Sequence, residues 1–239
     1  KYDYATGKLT VADYDMSLLN RNVSIRKAIA DQDGNIYIGT SGKGLMVIPH
    51  GSKKLQKVET KDKTFDLSTS NINDIFEDKD KNIWISCYKR GIYMLNYEKD
   101  AFNQWDFTSQ RYFLGSGLSS ISAGDNGDIL AIVQKAGVYI FDKHGRITAH
   151  PDSPYGASTI YKDKRGDFWL CTENAIYSYN PYKGTYELKN EYGGYDIVCM
   201  TDDGKGRLYL CDYGKGLCVY DTRTGRQTTF SMTDRRRLG

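Results

Sequence analysis

Short apolar runs alternate with tight polar turns along this chain, and the alternation repeats at a nearly fixed interval. The clearest instance is Asp78-Lys79-Asp80-Lys81-Asn82-Ile83-Trp84-Ile85-Ser86, a polar turn running straight into an apolar segment centred on Trp. The same phrase opens at Asp31, Gly124, Asp163 and Asp203. Its large-residue slot holds Tyr37, Trp84, Leu130, Trp169 and Tyr209, at spacings of 47, 46, 39 and 40 residues. Ahead of each turn stands a short apolar pair: Ile25 and Ala28, Ile72 and Ile75, Leu118 and Ile121, Ala157 and Ile160, Ile197 and Met200. Behind it comes a second turn and then glycine with three large residues, as in Gly44-Leu45-Met46-Val47, Gly91-Ile92-Tyr93-Met94, Gly137-Val138-Tyr139-Ile140 and Gly216-Leu217-Cys218-Val219. The fourth copy has Ala175-Ile176-Tyr177-Ser178 and is one residue short. A variable segment closes each unit. The unit reads as four short antiparallel strands, a to d from inner to outer, which is one propeller blade. Tyr37, Trp84, Trp169 and Tyr209 are expected to be buried at equivalent places.

The phase of the repeat sets the expected organisation. Complete blades run at about 21–67, 68–114, 115–156, 157–194 and 195–239. Residues 1–20 contain no strand a or b: Tyr2-Asp3-Tyr4-Ala5-Thr6-Gly7-Lys8 matches Tyr220-Asp221-Thr222-Arg223-Thr224-Gly225-Arg226, and residues 9–14 then read as the outer strand of a preceding blade. Both ends of the chain thus supply strand d, so simple closure through one shared blade fails. The expectation is an all-β propeller of about five complete blades plus one extra outer strand, cut from a larger ring of six to eight blades. A closed ring of five is the alternative.

Composition narrows the function classes. A chain of 239 residues buries roughly 70% of its unfolded surface, enough for a core without staples. With 33 basic and 30 acidic residues the net charge is +3, too balanced to advertise a nucleic-acid or membrane surface. No apolar window approaches the ~18 residues of a membrane span, and no signal peptide opens the chain. The five cysteines, Cys87, Cys171, Cys199, Cys211 and Cys218, read as small buried hydrophobes on strands rather than a disulfide framework.

Candidate chemistry is sparse. Gly39-Thr40-Ser41-Gly42-Lys43-Gly44 looks like a phosphate loop but lacks its Lys-Ser/Thr ending and a following helix; it is the b–c turn. Asp78-x-Asp80-x-Asn82 and Asp31-x-Asp33-x-Asn35 open like calcium loops, yet Ile83 and Ile36 stand where glycine is required, and Lys89 and Gly42 where glutamate is. Their carboxylates suit bonds to the turn's own backbone. His50, His144 and His150 show no metal-ligand spacing, and no acid/base set converges. Neither metal, cofactor nor catalysis is expected. The informative residues are the polar ones in the b–c turns and d–a connections, among them Asn71, Ser119, Ser120, Gln134, Lys135, Tyr192 and Tyr195. These loops share one end face, around the mouth of a central channel. The candidate binding residues are Tyr88, Arg90, Glu173, Asn174, Tyr213 and Lys215, with the rings stacking on sugar C–H surfaces and the others taking hydroxyls or acid groups.

The repeat I-x-x-I-x-x-D-x-x-G-N-I-W-I-G-T-x-x-x-G-L-x-x-Y, clearest over residues 72–95 and 25–48, resembles the regulator-propeller repeat of bacterial hybrid two-component sensors. Leu130 and Ala175 depart from it. The resemblance implies the periplasmic input of a membrane-spanning histidine kinase that senses oligosaccharides and switches on glycan-utilisation genes. It implies as partners an oligosaccharide or other small ligand, further blades, downstream signalling domains and a second copy in a homodimer; neither nucleic acid nor direct membrane insertion is expected of this region. No kinase segment is present, so this region is not expected to be an enzyme. Two alternatives stand beside it. One is a protein-interaction scaffold in the manner of WD-repeat propellers, although the Gly-His and Trp-Asp signatures are absent. The other is a streptogramin-lyase-like enzyme, a class that shares the Asp-x-x-Gly-x-Ile-Trp phrase but sets His and Glu around a metal.

Overall fold

The computed structural model describes residues 2–3, 6, 8–9, 13–19, 22–58, 67–98, 101–105, 117–191, 197–212 and 214–230. Among these residues every regular element is a strand. A two-stranded ribbon, β1 (Tyr2–Asp3) and β2 (Lys8–Leu9), precedes five four-stranded antiparallel sheets. Blade one is β3 (Ile25–Ala30), β4 (Ile36–Thr40), β5 (Leu45–Ile48) and β6 (Gln56–Lys57). Blade two is β7 (Ile72–Glu77), β8 (Ile83–Cys87), β9 (Gly91–Asn96) and β10 (Ala101–Trp105). Blade three is β11 (Leu118–Ala123), β12 (Ile129–Val133), β13 (Gly137–Phe141) and β14 (Ile147–Ala149). Blade four is β15 (Thr159–Lys162), β16 (Phe168–Cys171), β17 (Ala175–Asn180) and β18 (Thr185–Glu191). Blade five is β19 (Ile197–Asp202), β20 (Arg207–Asp212), β21 (Gly216–Asp221) and β22 (Gln227–Phe230).

The a–b turns of blades one, two, four and five are folded by their aspartate. Asp78 Oδ1 accepts from the N–H groups of Asp80 and Asn82, both at 2.9 Å, while its Oδ2 accepts from Trp84 Nε1 at 2.7 Å. Asp163 repeats this with Arg165, Asp167 and Trp169 Nε1, and Asp203 with Lys205 and Arg207. The carboxylate thus closes the turn and fixes the indole of the next strand. In blade three glycine takes the aspartate slot, and Tyr182 of blade four supplies its hydroxyl to Asp125 N–H instead. The b–c turns end on glycine because the chain there is left-handed: φ is +69° at Gly44, +85° at Gly91, +92° at Gly137 and +93° at Gly216. The shorter turn of blade four needs no such residue, which is why Ala175 fits.

Strand b is buried on both faces because each blade is sandwiched between two others. Ile83, Ile85 and Cys87 pack toward Leu45 of blade one, whereas Trp84 packs against Ile121, Ala131 and Phe141 of blade three. Leu130 and Ile132 meet Phe168 and Leu170, and Trp169 and Cys171 meet Leu208 and Leu210. Trp84, Trp169 and Tyr209 are each 5% exposed and Leu130 is fully buried, as the repeat alignment requires. Tyr37 differs from that expectation: it is half-buried against the blade-two cluster.

The five blades are arranged in a ring. Strand a is innermost, and β3, β7, β11, β15 and β19 touch in succession, with β19 returning to β3. The chain that reads in sequence as an arc therefore brings its first and fifth blades together, around Lys27 Nζ, which bonds Met200 O at 3.4 Å. The expected outer strand over residues 9–14 lies largely outside the described residues. The segment just after it runs along the edge of blade one: Asp15 bridges Lys54 in parallel, and Met16 and Leu19 cover Ile38, Met46, Ile48 and Leu55.

Candidate functional site

Strand a begins with the same irregularity in four blades. The pairing register slips between Ile25 and Lys27, Ile72 and Asp74, Leu118 and Ser120, and Ile197 and Cys199. Arg26, Asn73, Ser119 and Val198 are thereby pushed out of the ladder as bulges. In blade four Ser158 holds the equivalent place just ahead of β15, its N–H bonded to Cys171 O at 2.8 Å. All five line one cavity of about 420 Å³ at the channel mouth, one residue from each blade. Tyr88, Asn71, Gln134 and Lys135 complete its polar wall, and Gly156, Ala157, Ile197 and Val198 its smooth side.

The next residue of each strand a forms a second layer beneath. Lys27, Asp74, Ser120 and Thr159 are buried and Cys199 is half-buried. Lys27 Nζ pairs with Asp74 Oδ1 at 3.2 Å. Asp74 Oδ2 accepts from Ser120 Oγ at 2.5 Å and from Ile121 N–H at 2.9 Å. Ser120 Oγ also reaches Ile160 O at 3.2 Å and receives Ile160 N–H at 3.1 Å, and Thr159 Oγ1 donates to Ile197 O at 2.8 Å. This polar belt runs from blade one to blade five and sets the spacing of the mouth above it. Burial works against the charge on Lys27, but the Asp74 carboxylate together with the nearby sulfurs of Cys199 and Cys211 holds the ammonium above its ordinary pKa.

The mouth itself is partly pre-organised. Asn73 Nδ2 is fixed on Leu118 O at 2.5 Å, and Asn71 Oδ1 accepts from Ser41 Oγ at 3.2 Å. Tyr88, 39% exposed, packs its ring against Gly117, where any Cβ would meet it at 2.7 Å. Lys89 Nζ sits 5.2 Å from the same ring.

Of the sequence-derived candidates the structure brings only Tyr88 into this cavity. Arg90 spends its guanidinium on Ser70 Oγ at 3.0 Å, tying the b–c turn of blade two to the connection ahead of β7. Glu173 and Asn174 are exposed in the b–c turn of blade four, outside the cavity lining, with Asn174 Oδ1 accepting from Thr172 Oγ1. Lys215 is half-buried in a turn organised by Asp212. Tyr213, Tyr192 and Tyr195 lie outside the described residues. The b–c and d–a face carries this cavity, lined by Asn71, Gln134 and Lys135 from turns and by Ser119 from its strand bulge, and a second cavity of about 890 Å³ lies at the a–b turns of blades two and three. Sequence reasoning missed Arg26, Asn73 and Ser158. The signal was present in the two positions between the apolar pair of strand a, which read Arg-Lys, Asn-Asp, Ser-Ser, Ser-Thr and Val-Cys.

The three histidines lie elsewhere. His50 N–H bonds Asn35 Oδ1, and His144 sits in the Asp142 turn. His150 stacks on Tyr139 with centroids 4.0 Å apart and places Nε2 2.8 Å from Ala136 O. Among the described residues no group of three or more His, Cys, Asp or Glu is placed to hold a metal.

Comparison with known proteins agrees with this architecture. Residues 66–89, spanning the first half of blade two, match the family model described as two component regulator propeller. No curated protein matches the sequence. The fold is similar to the extracellular domain of what is described as a hybrid two component system from B. thetaiotaomicron (TM-score 0.65, 18% identity, 87% of this chain and 29% of that one). It is similar as well to virginiamycin B lyase from Staphylococcus aureus (TM-score 0.63, 14% identity, 87% of this chain and 70% of that one). A third likeness is to an auxiliary nutrient binding protein from Bacteroides ovatus (TM-score 0.64, 13% identity, 89% of this chain and 58% of that one). The chain spans under a third of the length of the two-component extracellular domain. At these identities the likeness is one of fold, and the repeat at residues 66–89 is a regulator-propeller repeat.

Proposed function

We propose that this chain is a ligand-sensing propeller in the extracytoplasmic input region of a hybrid two-component sensor, taking an oligosaccharide or a polar ligand of similar size at its channel mouth. The observation that carries the reading is the mouth itself. Five blades contribute the same strand-a position to one cavity of about 420 Å³, and those positions differ in chemistry while the strands around them repeat. Amides, hydroxyls and a half-exposed Tyr are the groups that recognise a polyhydroxylated ligand. The regulator-propeller repeat and the fold shared with a two-component extracellular domain support the sensor role. In this reading the parent protein anchors the propeller on the periplasmic side of the inner membrane. It couples ligand to downstream signalling domains, pairs with a second copy, and regulates transcription of glycan-utilisation genes. No helix among the described residues is long and apolar enough to cross a membrane.

The lyase reading has one observation in its favour, the shared fold. A catalytically inactive form of the matched lyase replaces a histidine, and in this chain none of the three histidines lines the mouth. That contrast supports binding over turnover. The test is calorimetric titration of the protein with a panel of disaccharides and trisaccharides, repeated with Tyr88→Ala and Gln134→Ala. Binding that weakens about tenfold in each folded variant supports the site. Affinity unchanged in both would move the site away from the mouth, and glycan turnover sensitive to these substitutions would favour the enzyme.

A further inference from the structure

The charge of the mouth is one-sided, and it names the ligand more narrowly. Arg26 of blade one and Lys135 of blade three both line the cavity, and both are exposed. No ion pair or hydrogen bond among the described residues takes up either side chain. Among the described lining residues there is no carboxylate. The nearest acid in the belt, Asp74, is buried one layer down and already serves Lys27, Ser120 and Ile121. Tyr88 of blade two lies in sequence between the two cations, whereas blades four and five offer Gly156, Ala157, Ile197 and Val198. The cavity thus has a cationic, amide-rich, aromatic side and a small, uncharged side.

We infer that the mouth binds an anionic saccharide, with a carboxylate or sulfate group between Arg26 and Lys135 and the uncharged sugar face toward blades four and five. This rests on the reading of the mouth as the sensing site and goes beyond it by assigning the charge of the ligand. The cations that sequence alone offered for an acid group, Arg90 and Lys215, do not line the cavity. Arg supplies a planar fork that meets an acid group with two parallel bonds, and Lys a point charge from the other wall.

The probes are digalacturonic acid and its dimethyl ester, which share shape and hydroxyls and differ in charge. The acid is expected to bind roughly tenfold tighter than the ester at 50 mM salt, the gap shrinking as salt shortens the screening length. Arg26→Gln together with Lys135→Gln is expected to abolish the gap between acid and ester. Equal binding of acid and ester would overturn the anionic inference and leave the sensing site standing. Failure of both probes, and of sulfated and neutral disaccharides at millimolar concentration, would overturn inference and site together.

A different observation carries a second proposal. Cys199 and Cys211 are direct cross-strand partners in blade five. Residues so placed stand with Cα atoms about 4.5–5.5 Å apart and side chains on one face, within the span a disulfide needs. Cys211 is exposed and Cys199 half-buried. Cys171 occupies the repeat slot of Cys211 but opposes Thr159 and is buried, which provides an internal control. We propose that Cys199 and Cys211 are an oxidisable dithiol. The Cys199 thiol hydrogen-bonds Cys211 and Lys27 lies near it, holding Cys211 down to about 7 against the opposing effect of burial. The Cys211 thiolate attacks a small disulfide such as oxidised glutathione, releasing one glutathione thiolate and forming a mixed disulfide. Cys199 then loses its proton and attacks the Cys211 sulfur, expelling the second glutathione, so two electrons pass to the oxidant. Peptide mapping of the native protein after this treatment is expected to show a Cys199–Cys211 cross-link, absent in Cys199→Ser, with Cys87, Cys171 and Cys218 still alkylatable after unfolding. A stable glutathione adduct on Cys211 beside a free Cys199 would overturn it.

Discussion

Removing the Asp74 carboxylate is the sharpest test of how the ring is held. Its side chain is 6% exposed and that of Lys27 10%, so neither charge has water to fall back on. Asp74→Ala strands the ammonium 3.2 Å from where its partner stood and takes the acceptor from Ser120 Oγ, Ile121 N–H and Ile75 N–H. Breaking a buried pair from one side costs about 3–5 kcal/mol. With a urea dependence of about 3 kcal/mol/M, the unfolding midpoint should fall by roughly 1–1.5 M. Lys27→Met should cost less, because Asp74 keeps three donors. The double change Lys27→Met with Asp74→Leu should recover most of the loss, since neither charge is then left alone. Asp74→Asn adds a pH signature. Wild-type Lys27 has a raised pKa, so its contribution is full below the ordinary lysine value and lost above it. Without Asp74, burial is the largest influence left on Lys27 and lowers its pKa, so the variant is weakest near neutrality and its deficit narrows as pH rises toward 10. Equilibrium urea unfolding by tryptophan fluorescence reads all four variants. An Asp74→Ala midpoint within the error of wild type would refute the argument that this belt holds the blades.

Three further expectations rest on contacts of the same kind. Trp84→Ala should cost about 3–5 kcal/mol, and Trp84→Phe about 1–3 because Asp78 loses the indole donor; a Trp84→Phe protein that melts like wild type would deny the indole bond any weight. Gly44→Ala should destabilise by more than about 1 kcal/mol, because φ is +69° there and an added Cβ runs into the Leu67 carbonyl; the same change at Gly51, which has open space around it, should be milder. Asp142 accepts from Arg146 and His144 N–H groups and is pulled down to about 2, so its contribution is present above the ordinary aspartate value and lost as pH falls toward 2; carboxyl NMR titration of the folded protein should give that midpoint, and an ordinary value would remove the turn bonds.

The fold was legible because the blade is a local unit. The Asp, Trp and Gly offsets are turn chemistry, and turn chemistry is set by residues four to six apart, as Asp78 with Asn82 and Trp84 shows. What lay beyond the sequence was the geometry between units. Ring closure depends on how far each blade rotates from the last, which no local motif encodes; Lys27 meets Met200 across 173 residues. The site was legible to the level of a face and no further. Turn residues point outward from that face as often as inward, so Arg90 and Glu173 looked equivalent to Tyr88. The bulge positions Arg26 and Asn73 were hidden because a strand pattern assigns alternate residues to alternate faces, and a bulge breaks that count.

The central claim is that ligand enters where the five bulges converge, and hydrogen–deuterium exchange with and without a saturating acidic disaccharide addresses it directly. The account predicts slowed exchange in the segments holding Arg26, Asn73, Tyr88, Ser119, Lys135 and Ser158, with the opposite face unchanged. Protection confined to the a–b turns at Asp78–Asn82 and Gly124–Asp128, which line a separate cavity on that opposite face, would contradict it.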